Sequence, residues 1–348
     1  MRFVNKTCSI ILGSVLFLSG ILKLMDPVGA GLVVQEYFAL LGLYSLFAIA
    51  RPVAVIMCLF ECFVGCAVIT SVWRRIVAWV SAALMLFFTL LTAILWIVNA
   101  PMDCGCFGEA VHLTHSQSFI KNIALCIIWL GAFLPFSAHR PAPELRYASF
   151  SIVSVFVLVF AVWAYRNIPP MDFTPFAPGK ELPSVDAGPD DATLSYCDAQ
   201  GNYPDSLLLK SKVLVVSFYE PHNASEQLWE EVAQLTDQAR ECGISTYILA
   251  ATTADDINGA ASDPRLLTNL YFGDRRELMT LNRSNGGATY VENGMIVRKW
   301  SSRDLPDPVT LSYISEADSS TILVESNSAP RLKMNAFLLF TFAVMLLL

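Results

Sequence analysis

The sequence predicts a multi-pass α-helical membrane protein that carries a separate α/β domain. Three observations carry this prediction. Of 348 residues, 55% are hydrophobic and only 15% are charged, and the mean hydropathy is +0.52. That is too apolar for an ordinary soluble chain. Charge is also unevenly spread. Residues 1–165 hold 9 Lys+Arg against 6 Asp+Glu, and residues 166–332 hold 13 against 24. Long apolar runs fill the first half, and short apolar strands alternating with a polar helix pattern fill the second. The acidic surface of the second half argues against nucleic acid as a partner.

A membrane-crossing helix needs about 20 mainly apolar residues. Runs over 7–25, 52–72, 76–98, 119–137 and 148–165 meet or approach this length. A sixth, 335–348, is short for a span. The first run lacks a good small-residue cleavage pattern and is followed directly by Lys23 and Asp26-Pro27, so it reads as an uncleaved span and not as a leader. Arg2/Lys6, Arg74/Arg75 and Arg140/Arg146 fall on alternate connections. The positive-inside rule puts all three in the cytoplasm. The loop Asp103-Cys104-Gly105-Cys106-Phe107-Gly108-Glu109-Ala110 and the acidic half then face outward, and Arg331 and Lys333 run against the rule.

Several residues within the apolar half are candidates for function. Glu61 lies near the middle of the second span, where an ionisable side chain is costly and marks a functional site by default. It can equally be a hydrogen-bonded group that locks helices. Lys23 is its nearest potential partner, and it can equally snorkel to the headgroups. Cys58, Cys62 and Cys66 share one helix face near Gly65, as a packing stripe or as thiols for a soft metal or a disulfide relay.

Cys104 and Cys106 admit three readings. They are a redox pair, half of a metal site completed by His112 and His115, or a turn that happens to use cysteine. Asp103 and Glu109 should raise a thiol pKa, whereas a helix starting near Ser116–Ser118 should lower it through its N-terminus. Gly105 permits the backbone angles that a tight ring between the two sulfurs requires.

Residues 166–204 are rich in proline and read as an extended linker. Beyond them come a buried strand at 212–219, a helix starting at Asn223 or Ser225 and ending near Cys242-Gly243, and a strand at 245–250. A third strand at 270–272, a helix over 275–282 and a hairpin turning on Asn293-Gly294 complete the domain, 205–330. This order resembles the thioredoxin-like fold over about 205–302. Where that family places C-x-x-C, this chain reads Glu220-Pro221-His222-Asn223-Ala224, and its cis-proline position near Gly287-Ala288-Thr289 has no proline. The fold is therefore expected without that family's activity. Cys197 and Cys242 either bridge or stay as thiols.

The first four spans resemble the DoxX-like and MauE membrane families, which share a four-helix core, here 1–138. The carrying residues are Ser19-Gly20-Ile21-Leu22-Lys23-Leu24-Met25-Asp26-Pro27, similar to S-G-x-x-K-x-x-D-P, then Glu61 with Gly65, then Cys104-Gly105-Cys106-Phe107-Gly108, similar to the C-G-C-F-G of MauE, and Lys121-Asn122. MauE is tied to methylamine utilisation and to disulfide formation in the dehydrogenase's small subunit, and related proteins pass thiol electrons to quinone. The resemblance implies thiol–disulfide chemistry at Cys104 and Cys106, a polar pocket of Glu61, Lys23 and Asp26, and a quinone headgroup as the one cofactor it suggests. It implies a bacterial inner membrane, a periplasmic domain and a periplasmic protein substrate or redox partner, with membrane lipid around the helices. A non-catalytic accessory protein and a small-solute transporter with Glu61 as proton relay are the alternatives.

Overall fold

The computed structural model describes residues 2–100, 104–134, 142–182, 194–203, 207–209, 211–253 and 263–347. Asp103, Arg140 and much of the proline-rich stretch, Pro183 and Gly188-Pro189 included, lie outside the described residues. The chain divides into two units, Met1–Arg166 with Met334–Leu348, and Asn167–Lys333.

The first unit is helical. Its elements are α1 (Arg2–Met25), α2 (Pro27–Leu40), a 3-10 turn (Tyr44–Ile49), α3 (Ala50–Thr70), α4 (Arg74–Val98), β1 (Cys106–Glu109), α5 (His115–Phe133) and α6 (Glu144–Arg166). Among the described residues six helices are long and apolar enough to cross a membrane. This is a multi-pass membrane protein. α4 presents Ile76, Trp79, Leu86, Leu90 and Ile94 outward, an apolar face that suits contact with lipid.

α1 and α3 pack most intimately, and glycine is the reason. A Cβ on Gly13 would lie 2.7 Å from the Gly65 carbonyl oxygen, and one on Gly65 would lie 2.6 Å from the Phe17 nitrogen. One on Gly20 would meet Cys62 Sγ at 2.5 Å. Without those side chains the two backbones approach closely, as small residues allow in lipid. Cys58, Cys62 and Cys66 are all buried in this seam. Their spacing serves packing.

α2 is absent from the sequence expectation, which left 27–51 unassigned. Asp26 starts it by accepting a hydrogen bond from the Gly29 N–H at 2.9 Å, with Pro27 at the first helical position. The final helix also differs. It runs Ser319–Leu347, not 335–348, and so reaches spanning length by beginning in the polar residues before it.

The second unit is a six-stranded mixed sheet with helices. Its strands are β2 (Tyr196–Cys197), β3 (Lys212–Phe218), β4 (Ser245–Ala250), β5 (Leu270–Gly273), β6 (Gly287–Glu292) and β7 (Met295–Trp300), in the order β2-β5-β4-β3-β6-β7. β3, β4 and β5 are parallel, and β6 and β7 form the antiparallel hairpin read from Asn293-Gly294. Helix α7 (Glu226–Glu241) starts at Ser225, whose side chain accepts the Leu228 N–H. The remaining helices are α8 (Pro264–Leu267), α9 (Arg275–Leu281), α10 (Pro308–Glu316) and α11 (Ser319–Leu347). Leu214, Val216 and Phe218 of β3 form the core with Trp229 and Val232 of α7 and Leu311 and Ile314 of α10. The Phe218 and Trp229 rings stack at 3.9 Å. Cys197 and Cys242 are both free thiols.

The expected linker, 166–204, is not wholly extended chain. Tyr196-Cys197 pairs antiparallel with β5 and covers that sheet edge. Residues 179–182 cover the other. The Gly179 N–H donates to the Ile296 carbonyl at 2.7 Å, Ile296 donates to Lys180 at 2.9 Å, and Leu182 donates to Gly294 at 2.7 Å. Unpaired edge groups seek partners, and the nearest chain supplies them. Asp172 anchors this strap through an ion pair with Lys299, Nζ to Oδ2 2.6 Å, with side chains only 13% and 6% exposed.

Burial pushes the Asp172 carboxyl up, but the Lys299 cation and the Thr174 hydrogen bonds outweigh it and hold it below the usual carboxylate range. Its stabilisation is therefore complete above the ordinary carboxylate pKa and is lost as pH falls through the depressed folded value. Asp172→Asn should cost about 3–5 kcal/mol, as removal of one member of a buried pair does. Hydrogen exchange on the full chain should then show faster exchange at Gly179, Leu182 and Ile296. Wild type should reach the same state only in strong acid.

Candidate functional site

The α1–α3 approach brings Lys23 onto Glu61. The two form an ion pair with side chains 14% and 4% exposed. The Lys23 ammonium also lies 5.3 Å from the centre of the Phe88 ring on α4. A buried carboxylate needs such a partner, since an unpaired charge at this depth is expensive. Asp26, expected in the same pocket, instead caps α2. It is not among the residues lining the recess beside the pair.

Above this pair lies the Cys104–Gly108 loop, tied at four points. The Ser19 hydroxyl of α1 donates to the Cys106 carbonyl at 2.6 Å. The Tyr37 hydroxyl of α2 donates to the Cys104 carbonyl at 3.0 Å. The Ser118 hydroxyl of α5 and the Cys104 sulfur are 2.9 Å apart. The Lys121 ammonium, one turn further along α5, sits 4.6 Å from the centre of the Phe107 ring. Gly105 and Gly108 take φ of +62° and +60°, and a Cβ on Gly105 would strike Val33 Cγ1 at 2.7 Å. Glycine is thus required at the centre of the Cys-Gly-Cys turn.

Helix α5 begins at Thr114, in a capping box with Gln117. This start brings Ser118 to Cys104. A small recess of about 20 Å³, partly open to solvent, lies beside the loop, lined by Ser19, Lys23, Glu61, Cys106, Lys121 and Asn122 among others. Asn122 is held by the Phe88 carbonyl at 3.1 Å and by Thr92 Oγ1 at 3.2 Å.

The two thiols are free and differ in state. A hydrogen bond from Cys106 is the largest influence on Cys104. It outweighs the opposing effect of burial and, with Ser118, the Cys106 backbone and the Lys121 charge, lowers the thiol to about 5. The same bond, together with burial, pushes Cys106 up. The pair is thereby held unequal, Cys104 drawn toward the thiolate and Cys106 toward the protonated thiol. The expected upward pull from the acidic flanks does not govern Cys104. Asp103 lies outside the described residues, and the hydrogen bonds and Lys121 act the other way. Burial first, and then the two sulfurs, raise the Tyr37 phenol, which stays protonated as a donor.

Among the described residues no three His, Cys, Asp or Glu side chains are grouped as metal ligands. His115 Nε2 is engaged with the Ala100 carbonyl at 2.9 Å. The spacing Cys104-x-Cys106 with His112 and His115 therefore does not assemble into a site. Sequence motifs flagged Ser19, Lys23, Glu61, Cys104, Cys106 and Lys121. Tyr37 carried no signal of its own, and Ser118 entered only as part of a helix start near the loop, because their contacts arise from packing between helices.

Residues 1–136 match the family model described as Methylamine utilisation protein MauE. No curated protein and no solved structure matches the chain.

Glu61→Gln alone leaves the Lys23 cation buried without its counter-charge and should lower stability by about 3–5 kcal/mol. The double substitution Lys23→Met/Glu61→Leu should lose less than the sum of the single variants. Unfolding of the full chain in detergent, read as a double-mutant cycle, measures both.

Proposed function

We propose, for a chain whose residues 1–136 match the MauE family model, a role as a membrane thiol–disulfide redox protein acting through Cys104 and Cys106. The observation that carries this reading is the unequal thiol pair. A thiolate at Cys104, held by Cys106, Ser118 and Lys121, is the species that takes part in exchange. A turn that used cysteine only for packing would have no need of it.

Stabilising the reduced thiolate makes the corresponding disulfide a stronger oxidant. The chemistry therefore favours forming disulfides in a client protein over breaking them. Lys23 and Glu61 shape the polar floor beneath Cys106. The positive-inside rule, applied to Arg2/Lys6, Arg74/Arg75 and Arg140/Arg146, supports an outward-facing loop, on the side where disulfides persist. Methylamine utilisation is the setting that the family's description names. The second unit reads as a thioredoxin-like domain, on the support of a central β3 flanked by parallel β4 and antiparallel β6, with α7 after β3.

A second, non-catalytic reading applies to that unit. Where a C-x-x-C would sit, Glu220 pairs with Arg275. The Asn285 side chain accepts the Glu220 N–H and donates to its carbonyl, both at 2.9 Å. This loop is locked without a thiol and suits holding a client instead of oxidising it.

Differential alkylation of native membranes tests the main reading. Cys104 and Cys106 should label fully only after reductant. Full labelling without reductant, together with unimpaired client disulfides in a C104S/C106S strain, would overturn it. In the reduced protein the rate of iodoacetamide addition to Cys104 should be flat from pH 8 to about 6 and fall through about 5.

A further inference from the structure

Cys104 and Cys106 differ in access as well as in state. Cys104 is 8% exposed and lies against Ser118 at the first turn of α5. Cys106 is half-buried and lines the recess. Its carbonyl accepts a hydrogen bond from the Ser19 hydroxyl, which fixes the backbone at the recess. Resting on the redox reading above, we infer that Cys106 is the sulfur that joins the client, and that Cys104 is the internal leaving group, received by Ser118 and Lys121 as positioning residues.

The exchange balances as follows. A client thiolate attacks the sulfur of Cys106 in the Cys104–Cys106 disulfide. A client–Cys106 bond forms, the Cys104–Cys106 bond breaks, and its electron pair leaves on Cys104. Ser118 donates its hydroxyl hydrogen to that thiolate, and the Lys121 ammonium, which stands over Phe107 and against Cys106, adds a weaker electrostatic share. A second client thiolate then attacks the client sulfur of the mixed disulfide. The client disulfide forms and Cys106 leaves with the electron pair and takes a proton. The client dithiol gives up two electrons and two protons. The cysteines gain both electrons, Cys106 keeps one proton and the other passes to solvent.

The more accessible sulfur is thus attacked and the better leaving group departs, which are the two conditions that speed exchange. The opposite assignment would send the client to the buried sulfur and expel the poorer leaving group. The groups facing the pair are Lys23 from α1, Tyr37 from α2, Glu61 from α3, and Ser118 and Lys121 from α5.

The test uses the full chain in detergent with glutathione disulfide as the probe. On the wild-type chain oxidised by that probe, added reduced glutathione should, after acid quenching, be found by mass spectrometry on Cys106 at least tenfold more than on Cys104. Ser118→Ala and Lys121→Met should each shift the equilibrium in a glutathione buffer several-fold toward the Cys104–Cys106 disulfide, and Lys121→Arg should restore it. A purely structural role would change thermal stability and leave that ratio alone. More adduct on Cys104 than on Cys106, or an unmoved ratio in both α5 variants, overturns this assignment and leaves the redox reading standing. If wild type forms no internal disulfide with the probe, the redox reading itself fails, and this assignment with it.

Discussion

The close approach of α1 to α3 is the constraint on which the rest of the first unit depends. It exists because Gly13, Gly20 and Gly65 carry no side chain where each helix meets the other's backbone or Cys62. From that seam Lys23 reaches Glu61, and Ser19, one turn before Lys23, reaches the carbonyl of Cys106. A wider seam would leave a carboxylate buried without its cation and a loop carbonyl without its donor.

The loop shows the same economy. A short irregular segment beside apolar helices has backbone groups that water serves poorly. Ser19 and Tyr37 satisfy the two cysteine carbonyls, and the Gly108 N–H closes a turn on the Gly105 carbonyl at 3.1 Å. The residues that hold the backbone thereby also orient the sulfurs, so structure and chemistry share one set of hydrogen bonds. What remains to the thiols is their bond to each other and to Ser118, and that bond makes them unequal.

The second unit solves a different problem. A central parallel pair with a hairpin leaves two open edges, and the chain covers both with its own preceding segment, β2 on one side and 179–182 on the other. The buried Asp172–Lys299 pair fixes the second cover. The unpaired backbone groups of β5 and β7 thereby find partners within the same chain.

Hydropathy and periodicity are local properties, so the helical spans, the strands from 212 to 300 and the Asn293-Gly294 hairpin were all legible in the sequence. So was the set Ser19, Lys23, Glu61, Cys104, Cys106 and Lys121, because the residues stand in short recognisable strings. Other features were not. α2 lacks the length of a span, and the early start of α11 is hidden in polar residues that turn helical because an apolar run follows. The segment at 166–204 is proline-rich whether it hangs free or lines a sheet edge, and only the edge decides. Asp26 has the look of a pocket residue in its motif, and only the structure shows that its side chain also caps α2 at the nitrogen of Gly29. The difference between the two thiols is the clearest case. In the sequence they are two cysteines among acids, with nothing to tell one from the other. Ser118 and Lys121 come to them across 12 or more residues of chain, through the position of α5. A pKa depends on what lies within a few ångströms in space, and only the tertiary structure sets that.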